Sequence, residues 1–145
     1  MTTARRPAAV TPSPAPAGRP TIRPHWATLF AELAPLLTRW PPVLPREPHP
    51  ELEARPLALG TREKLAELLR DPADPKARRL LARALAVYCR STFYLTALAT
   101  DGSRRHDLDG RPIAPVEPAD RAAAASLLLI KAMRPSPRAG TGARR

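Results

Sequence analysis

Between Asp74 and Pro112 the chain has little freedom: a helix start, a two-faced helix, a second cap and a tight turn follow one another without a linker. Asp74 is a favoured N-cap and Pro75 suits the first helical position, so a helix is predicted from there to about Arg90. Turning 100° per residue from Arg79 puts Arg83 at about 40°, Arg90 at about 20° and Lys76 at about 60°. Ala77, Leu81, Ala84, Leu85 and Tyr88 fall on the opposite side, between about 140° and 240°. Such a helix must bury one face and leave four cations in a stripe along the other. Ser91 and Thr92 then offer the cap of a second short helix through Leu98. Asp109-Gly110 fits the central pair of a two-residue hairpin turn, with strands near 104–108 and 111–116.

The rest of the chain fits one domain with tails. Residues 1–24 are rich in Pro, Ala, Thr and Ser with few large apolar side chains, which cannot repay ordering entropy; a disordered arm is expected there. From Trp26, the residues Leu29, Leu33, Leu36, Leu37 and Trp40 recur at helical spacing, with Pro35 kinking or restarting the helix and Pro41-Pro42 ending it. Residues 43–54 read as an irregular connection and Arg55 to Leu59 as an extended segment closed by Gly60. Thr61 is a candidate N-cap for a helix to Arg70 that turns Leu65, Leu68 and Leu69 inward. A last helix is predicted from Glu117-Pro118 to just before Pro135, burying Leu127, Leu128 and Ile130. The expected class is mainly α, a compact helical domain over 25–134 with a small β-hairpin, between a basic arm at 1–24 and a basic tail at 135–145.

Charge narrows the partners. Lys and Arg number 24 against 13 acids, and only Lys64, Lys76 and Lys131 are lysines, so the surface is arginine-dominated and suited to forked phosphate contacts. Arg5, Arg6, Arg19 and Arg23 at one end and Arg134, Arg138, Arg144 and Arg145 at the other, with no acid among them, carry most of the net charge of +11. The domain must therefore concentrate its small excess on one face to hold a polyanion. The lone Cys89 excludes an internal disulfide and fits a reducing compartment. The apolar run from Ala122 to Ile130 falls short of the about 20 residues needed to span a bilayer, and the prolines after Arg5-Arg6 deny a signal peptide its apolar segment. A cytoplasmic protein with no membrane partner is expected.

The candidate chemistry is contact with nucleic acid. Exposed helix faces are usually charged, which is the plain reading of the stripe, but solvated helices mix signs and no acid lies between Lys76 and Arg90. The break at Arg90-Ser91-Thr92 presents a helix N-terminus, a seat for a phosphate or a ribose hydroxyl, although Ser91 serves equally as a simple cap. Tyr94 is a candidate for stacking on a base. Arg104, Arg105 and His106 gather cations at the hairpin base. Asp107 and Asp109 resemble a DxD metal pair, but Arg111, Pro112 and Ile113 stand where a calcium loop needs oxygen ligands, so they read as turn residues. His25, His49 and His106 are scattered and no nucleophile-base pair or phosphate loop is present, so neither an enzyme nor a metal or cofactor site is expected.

Three blocks carry a resemblance: Arg55-Pro56-Leu57 with Gly60, the pattern LxxALxxYxxSxxYL from Leu81 to Leu95, and Arg105, Asp107-Leu108-Asp109-Gly110 with Pro112. Over about residues 26 to 133 the chain resembles the ProQ/FinO family of RNA-binding proteins. The resemblance implies a small bacterial RNA chaperone that binds hairpins with a single-stranded 3′ tail. It places the residues matching Tyr94 and Arg105 on a concave RNA-binding face, with Arg55 nearby. Ala58 and Ala82 stand where relatives are often basic, and the stretch from Leu95 to Arg105 is about one residue longer than in some of them.

The expectation is thus a monomeric RNA chaperone for small regulatory RNAs, mRNA 3′ ends and terminator-type hairpins, acting in post-transcriptional regulation by small or antisense RNAs. Arg55, Lys76, Arg79, Arg83, Arg90, Arg104 and Arg105 would hold phosphates, Tyr94 would stack, and Ser91 with Thr92 would frame the 3′ terminus. The alternatives are nonspecific nucleic-acid binding by the basic tails and a protein adaptor that uses the Pro-rich arm as a groove ligand.

Overall fold

A computed structural model describes residues 24–49 and 51–134, so both expected tails lie outside the described residues. Five α-helices and one two-stranded antiparallel sheet follow in the order α1 (His25–Leu33), α2 (Thr61–Ala66), α3 (Pro75–Cys89), α4 (Thr92–Ala99), β1 (Arg104–His106), β2 (Pro112–Pro115) and α5 (Pro118–Met133). Helix α1 lies against α3, and α5 lies along α4. The fold class expected from the sequence, mainly helical with one hairpin, is the one observed.

The core forms where the α3 wheel placed it. Ala77, Leu81, Ala84, Leu85 and Tyr88 are all buried, while Lys76, Arg79, Arg83 and Arg90 are exposed. The Asp74 carboxylate accepts the Lys76 N–H at 3.0 Å and caps the helix. All six aromatic residues of the chain join one cluster: Trp26 stacks on Phe93 and meets Tyr88 edge-on, Phe30 touches Tyr88 and Trp40, and Tyr88 touches Tyr94. Such pairs contribute about 0.5–1.5 kcal/mol each beyond area burial. The Tyr88 hydroxyl lies inside this cluster with no hydrogen-bond partner among the described residues, and desolvation pushes its pKa far up. Tyr88→Phe removes that unpaired group without a cavity and is expected to leave stability unchanged or raise it by about 1 kcal/mol in urea unfolding.

Tertiary pairing overrides three sequence expectations. Helix α1 stops at Leu33, passes through a 3₁₀ turn at Ala34–Leu36 containing Pro35, and does not restart. Leu37 instead pairs antiparallel with Leu69: the Thr38 N–H donates to the Leu68 carbonyl and the Arg70 N–H to the Leu36 carbonyl. The same pairing ends α2 at Ala66 rather than Arg70, because it uses groups that a longer helix would need. The N-cap of α2 is Gly60, at φ 85°, while the Thr61 hydroxyl donates back to the Ala58 carbonyl. The third correction concerns α5, where Ala124 is the buried residue and Leu127 and Ile130 are about half exposed.

The hairpin also differs in detail. Its turn is centred on Leu108-Asp109, closed by the Gly110 N–H donating to the Asp107 carbonyl, with Gly110 next at φ 88°. This is a type I turn followed by a left-handed residue, the three-residue solution rather than the two-residue one. Asp107 accepts the N–H groups of Asp109 and Arg111, and Asp109 sits at the centre of the turn. A Cβ on Gly110 would collide with the Arg55 guanidinium. Gly110→Ala combines left-handed strain with displacement of Arg55 and is expected to cost about 1–3 kcal/mol in urea unfolding.

Candidate nucleic-acid interface

The three resemblance blocks meet at one backbone residue, Leu57. Its N–H donates to the Tyr94 hydroxyl oxygen at 2.8 Å, and its carbonyl accepts from Arg105 Nη1 at 2.7 Å. On either side, the His106 N–H donates to the Pro56 carbonyl and the Ala58 N–H to the His106 carbonyl, a parallel bridge that makes the 56–58 segment a third edge of the hairpin. Arg105 extends the brace into α5: its Nε and Nη2 reach Glu117 at 3.1 and 3.0 Å, and Nη2 reaches Asp120 at 2.7 Å. The Glu117 carboxyl is held below its ordinary value by a hydrogen bond from its own backbone N–H and then by Arg105.

This brace alters the roles read from the sequence. Arg105 is 9% exposed and its guanidinium is committed to protein partners, so it is a buried anchor and not a free phosphate clamp. Tyr94 is 4% exposed with its ring inside the aromatic cluster, which removes it as a stacking platform. Its hydroxyl still has a proton to give, since the Leu57 bond uses it as an acceptor, and burial raises its pKa to about 12 so that the proton stays on. Ser91 caps α4: its hydroxyl accepts the Tyr94 N–H and donates to the Tyr88 carbonyl, the structural alternative weighed for it. Thr92, Arg55 and Arg104 are exposed.

Five of the candidate residues are divided between two grooves. One, of about 340 Å³, has Tyr94 and Arg105 with Leu57, Ala58, Ala82 and Cys89 in its walls and Arg62 at its edge. Its apolar character follows from Ala58 and Ala82, which leave open space where longer basic chains would lie. Burial pushes the Cys89 thiol up to about 11, so this wall is neutral. On the α3 wheel Ala82 and Ala86, which line this groove, precede the stripe by about 20–60°, so Arg79 and Arg83 run along its bank. Arg62 and Arg78 meet Arg79 in an adjoining depression. The other groove, of about 510 Å³, lies at the α3–α4 break and holds Arg90, Ser91 and Thr92 with His25, Trp26 and Lys131. Sequence reasoning placed Ser91, Thr92, Tyr94 and Arg90 in a single binding device; the structure separates them.

Arg62 and Lys131 were missed. Arg62 is followed by Glu63 and reads as part of an ordinary mixed-sign helix, and Lys131 reads as a helix-end cation; only the packing of α2 and α5 brings them to the grooves. Among the described residues no cluster of His, Cys, Asp or Glu is arranged to hold a metal, and no helix is long and apolar enough to cross a membrane.

No curated protein matches the chain. A solution structure of a ProQ homologue from Legionella pneumophila superposes with a TM-score of 0.53 at 18% identity, over 85% of this chain and 96% of that one. A crystal structure of a FinO-like RNA chaperone from Neisseria meningitidis is 27% identical over 73% of this chain and 82% of that one, with a TM-score of 0.47. The ProQ/FinO family model matches residues 29–139, which include the brace around Leu57, the Tyr94–Arg105 groove and the stripe, and the chain belongs to that family.

Proposed function

We propose that the protein is an RNA-binding chaperone that holds a structured RNA against the α3 stripe and receives its single-stranded 3′ end in the Tyr94–Arg105 groove. The observation that carries this reading is the exposed, acid-free cationic stripe beside an apolar groove whose polar floor is the Tyr94 hydroxyl. Arg79 and Arg83, with Lys76, Arg62 and Arg78 beside them, take the phosphates of the RNA stem, where forked guanidinium contacts hold backbone without reading sequence. Apolar walls suit the face of a ribose and base, and the free Tyr94 proton suits a terminal phosphate or hydroxyl oxygen. With the Tyr94 ring held inside the aromatic cluster, affinity at this groove comes from charge and shape rather than stacking. Such a protein would stabilise small or antisense RNAs and promote their pairing with targets. Membership of the ProQ/FinO family supports the class of partner.

The test is an equilibrium titration with a GC-rich hairpin ending in a 3′ uridine tail, free or blocked by a 3′ phosphate, at two salt concentrations. Weaker binding of the blocked RNA is expected. Equal affinity for both, falling by roughly two decades over a fourfold salt rise as ~5 phosphate contacts require, would reduce the protein to a nonspecific polyanion binder.

A further inference from the structure

Helix α5 carries an apolar face that none of the described residues covers. Its contact with the body is narrow, with Ala124 buried and Leu128 partly so. On the helical wheel, the arc opposite Ala124 spans about 180° and contains no charge. Its centre line runs Ala119, Ala122, Ala123, Ser126, Leu129, Ile130 and Met133, all exposed, with Leu129 at 63%, Ile130 at 50% and Met133 at 73%. That spacing of three and four residues is the seam of a two-helix contact. A solvated helix would carry charge there; this one has Arg121 and Arg134 just outside the edges of the arc and Asp120 and Lys131 on the side toward the body.

We infer that this face is a self-association surface, on which α5 of a second copy lies antiparallel. The side chains on the arc are divided by size: small in the N-terminal half, large in the C-terminal half. An antiparallel pair about a twofold axis at Ser126 sets Met133 against Ala119, Ile130 against Ala122 and Leu129 against Ala123, so every large residue meets a small one. A parallel pair sets Met133 on Met133 at one end and leaves a gap between alanines at the other. Charge agrees, because the antiparallel arrangement brings Arg134 toward the N-terminal end of the other helix on the side of the half-exposed Asp120, and opposes the helix dipoles. One face of a helix about 24 Å long buries less than the ~800 Å² per partner of a stable complex, so the dimer is weak, with a dissociation constant of about 10 µM to 1 mM. This departs from the monomer expected from sequence and does not depend on RNA binding.

Sedimentation of the nuclease-treated full chain in about 1 M salt, where the Debye length is about 3 Å and RNA bridging is suppressed, tests the proposal. Between about 10 µM and about 1 mM the average mass is expected to rise from 15.8 kDa toward twice that value. Ile130→Glu and Met133→Glu are expected to stay at one chain mass with unchanged circular dichroism, since both positions face solvent in the single chain. In a Cys89→Ser background, Ser126→Cys is expected to oxidise to a covalent dimer across the axis. Met133→Cys is not, because the two copies lie about 21 Å apart along the antiparallel pair. A single chain mass at the highest concentration would overturn the proposal and give the arc to a different protein or a lipid surface. Association unaffected by the glutamates, or cross-linking at position 133 as fast as at 126, would overturn it as well.

Discussion

Arg105→Ala is expected to cost about 3 kcal/mol of stability, even though Arg105 reads in the sequence as an RNA contact. Removing the side chain leaves the buried Leu57 carbonyl without its donor, a loss of about 1–3 kcal/mol, and opens a hole where the guanidinium packed. The ion pairs add less, because the carboxylates of Glu117 and Asp120 are about half exposed and solvent screens them. Arg105→Lys keeps the charge but cannot reach three acceptors in one plane, and is expected to recover less than half of the loss. Urea unfolding checks both. The brace also sets a pH dependence. The lowered Glu117 value means that its contribution is complete above its ordinary value of 4.5 and is lost as pH falls through the lower folded value. The gap between wild type and Arg105→Ala should narrow below that point. A stability difference that stays constant from neutral pH to strong acid would assign the effect to packing and the Leu57 bond alone.

Replacing Lys76, Arg79 and Arg83 together by alanine is expected to do the reverse, weakening RNA and sparing the fold. All three are exposed and none forms an ion pair among the described residues, so stability should stay within about 0.5 kcal/mol of wild type. At about 1 kcal/mol for each phosphate contact, affinity for the hairpin should fall about 100-fold, and the slope of log affinity against log salt should flatten by about 2–3 units. Equal losses for hairpins of unrelated sequence are part of the expectation, because backbone contacts carry no sequence information. If the triple variant binds as tightly as wild type, the stripe is a solvated face and the recognition surface lies elsewhere, with the groove at Arg90, Thr92 and Lys131 the next place to look.

These two expectations separate what the pattern of residues conveys from what packing decides. The α3 helix, its core face, its cationic face and its caps at Asp74 and Ser91 were all legible, because helix periodicity and capping act within one or two turns and need no distant partner. The small hairpin and the family membership were legible for the same reason, since aspartate and glycine state the turn chemistry locally. The ends of α1 and α2 were not, because the Leu37–Leu69 pairing joins segments about thirty residues apart and takes groups that local rules assign to helices.

The roles of individual site residues depended most on the tertiary structure. An arginine and a tyrosine in a basic, RNA-binding pattern look like ligand contacts, yet whether a polar group meets solvent or a buried carbonyl is set by what packs over it. Leu57 captures Tyr94 and Arg105 from opposite sides, so those two brace the groove, while the arginines of the α3 stripe stay exposed among the described residues. The same holds for α5, whose leucine-rich run implied burial. The sequence by itself determined that the helix is apolar; only the fold decided that its apolar face would be left outside, because α4 is short and offers it a single narrow line of contact.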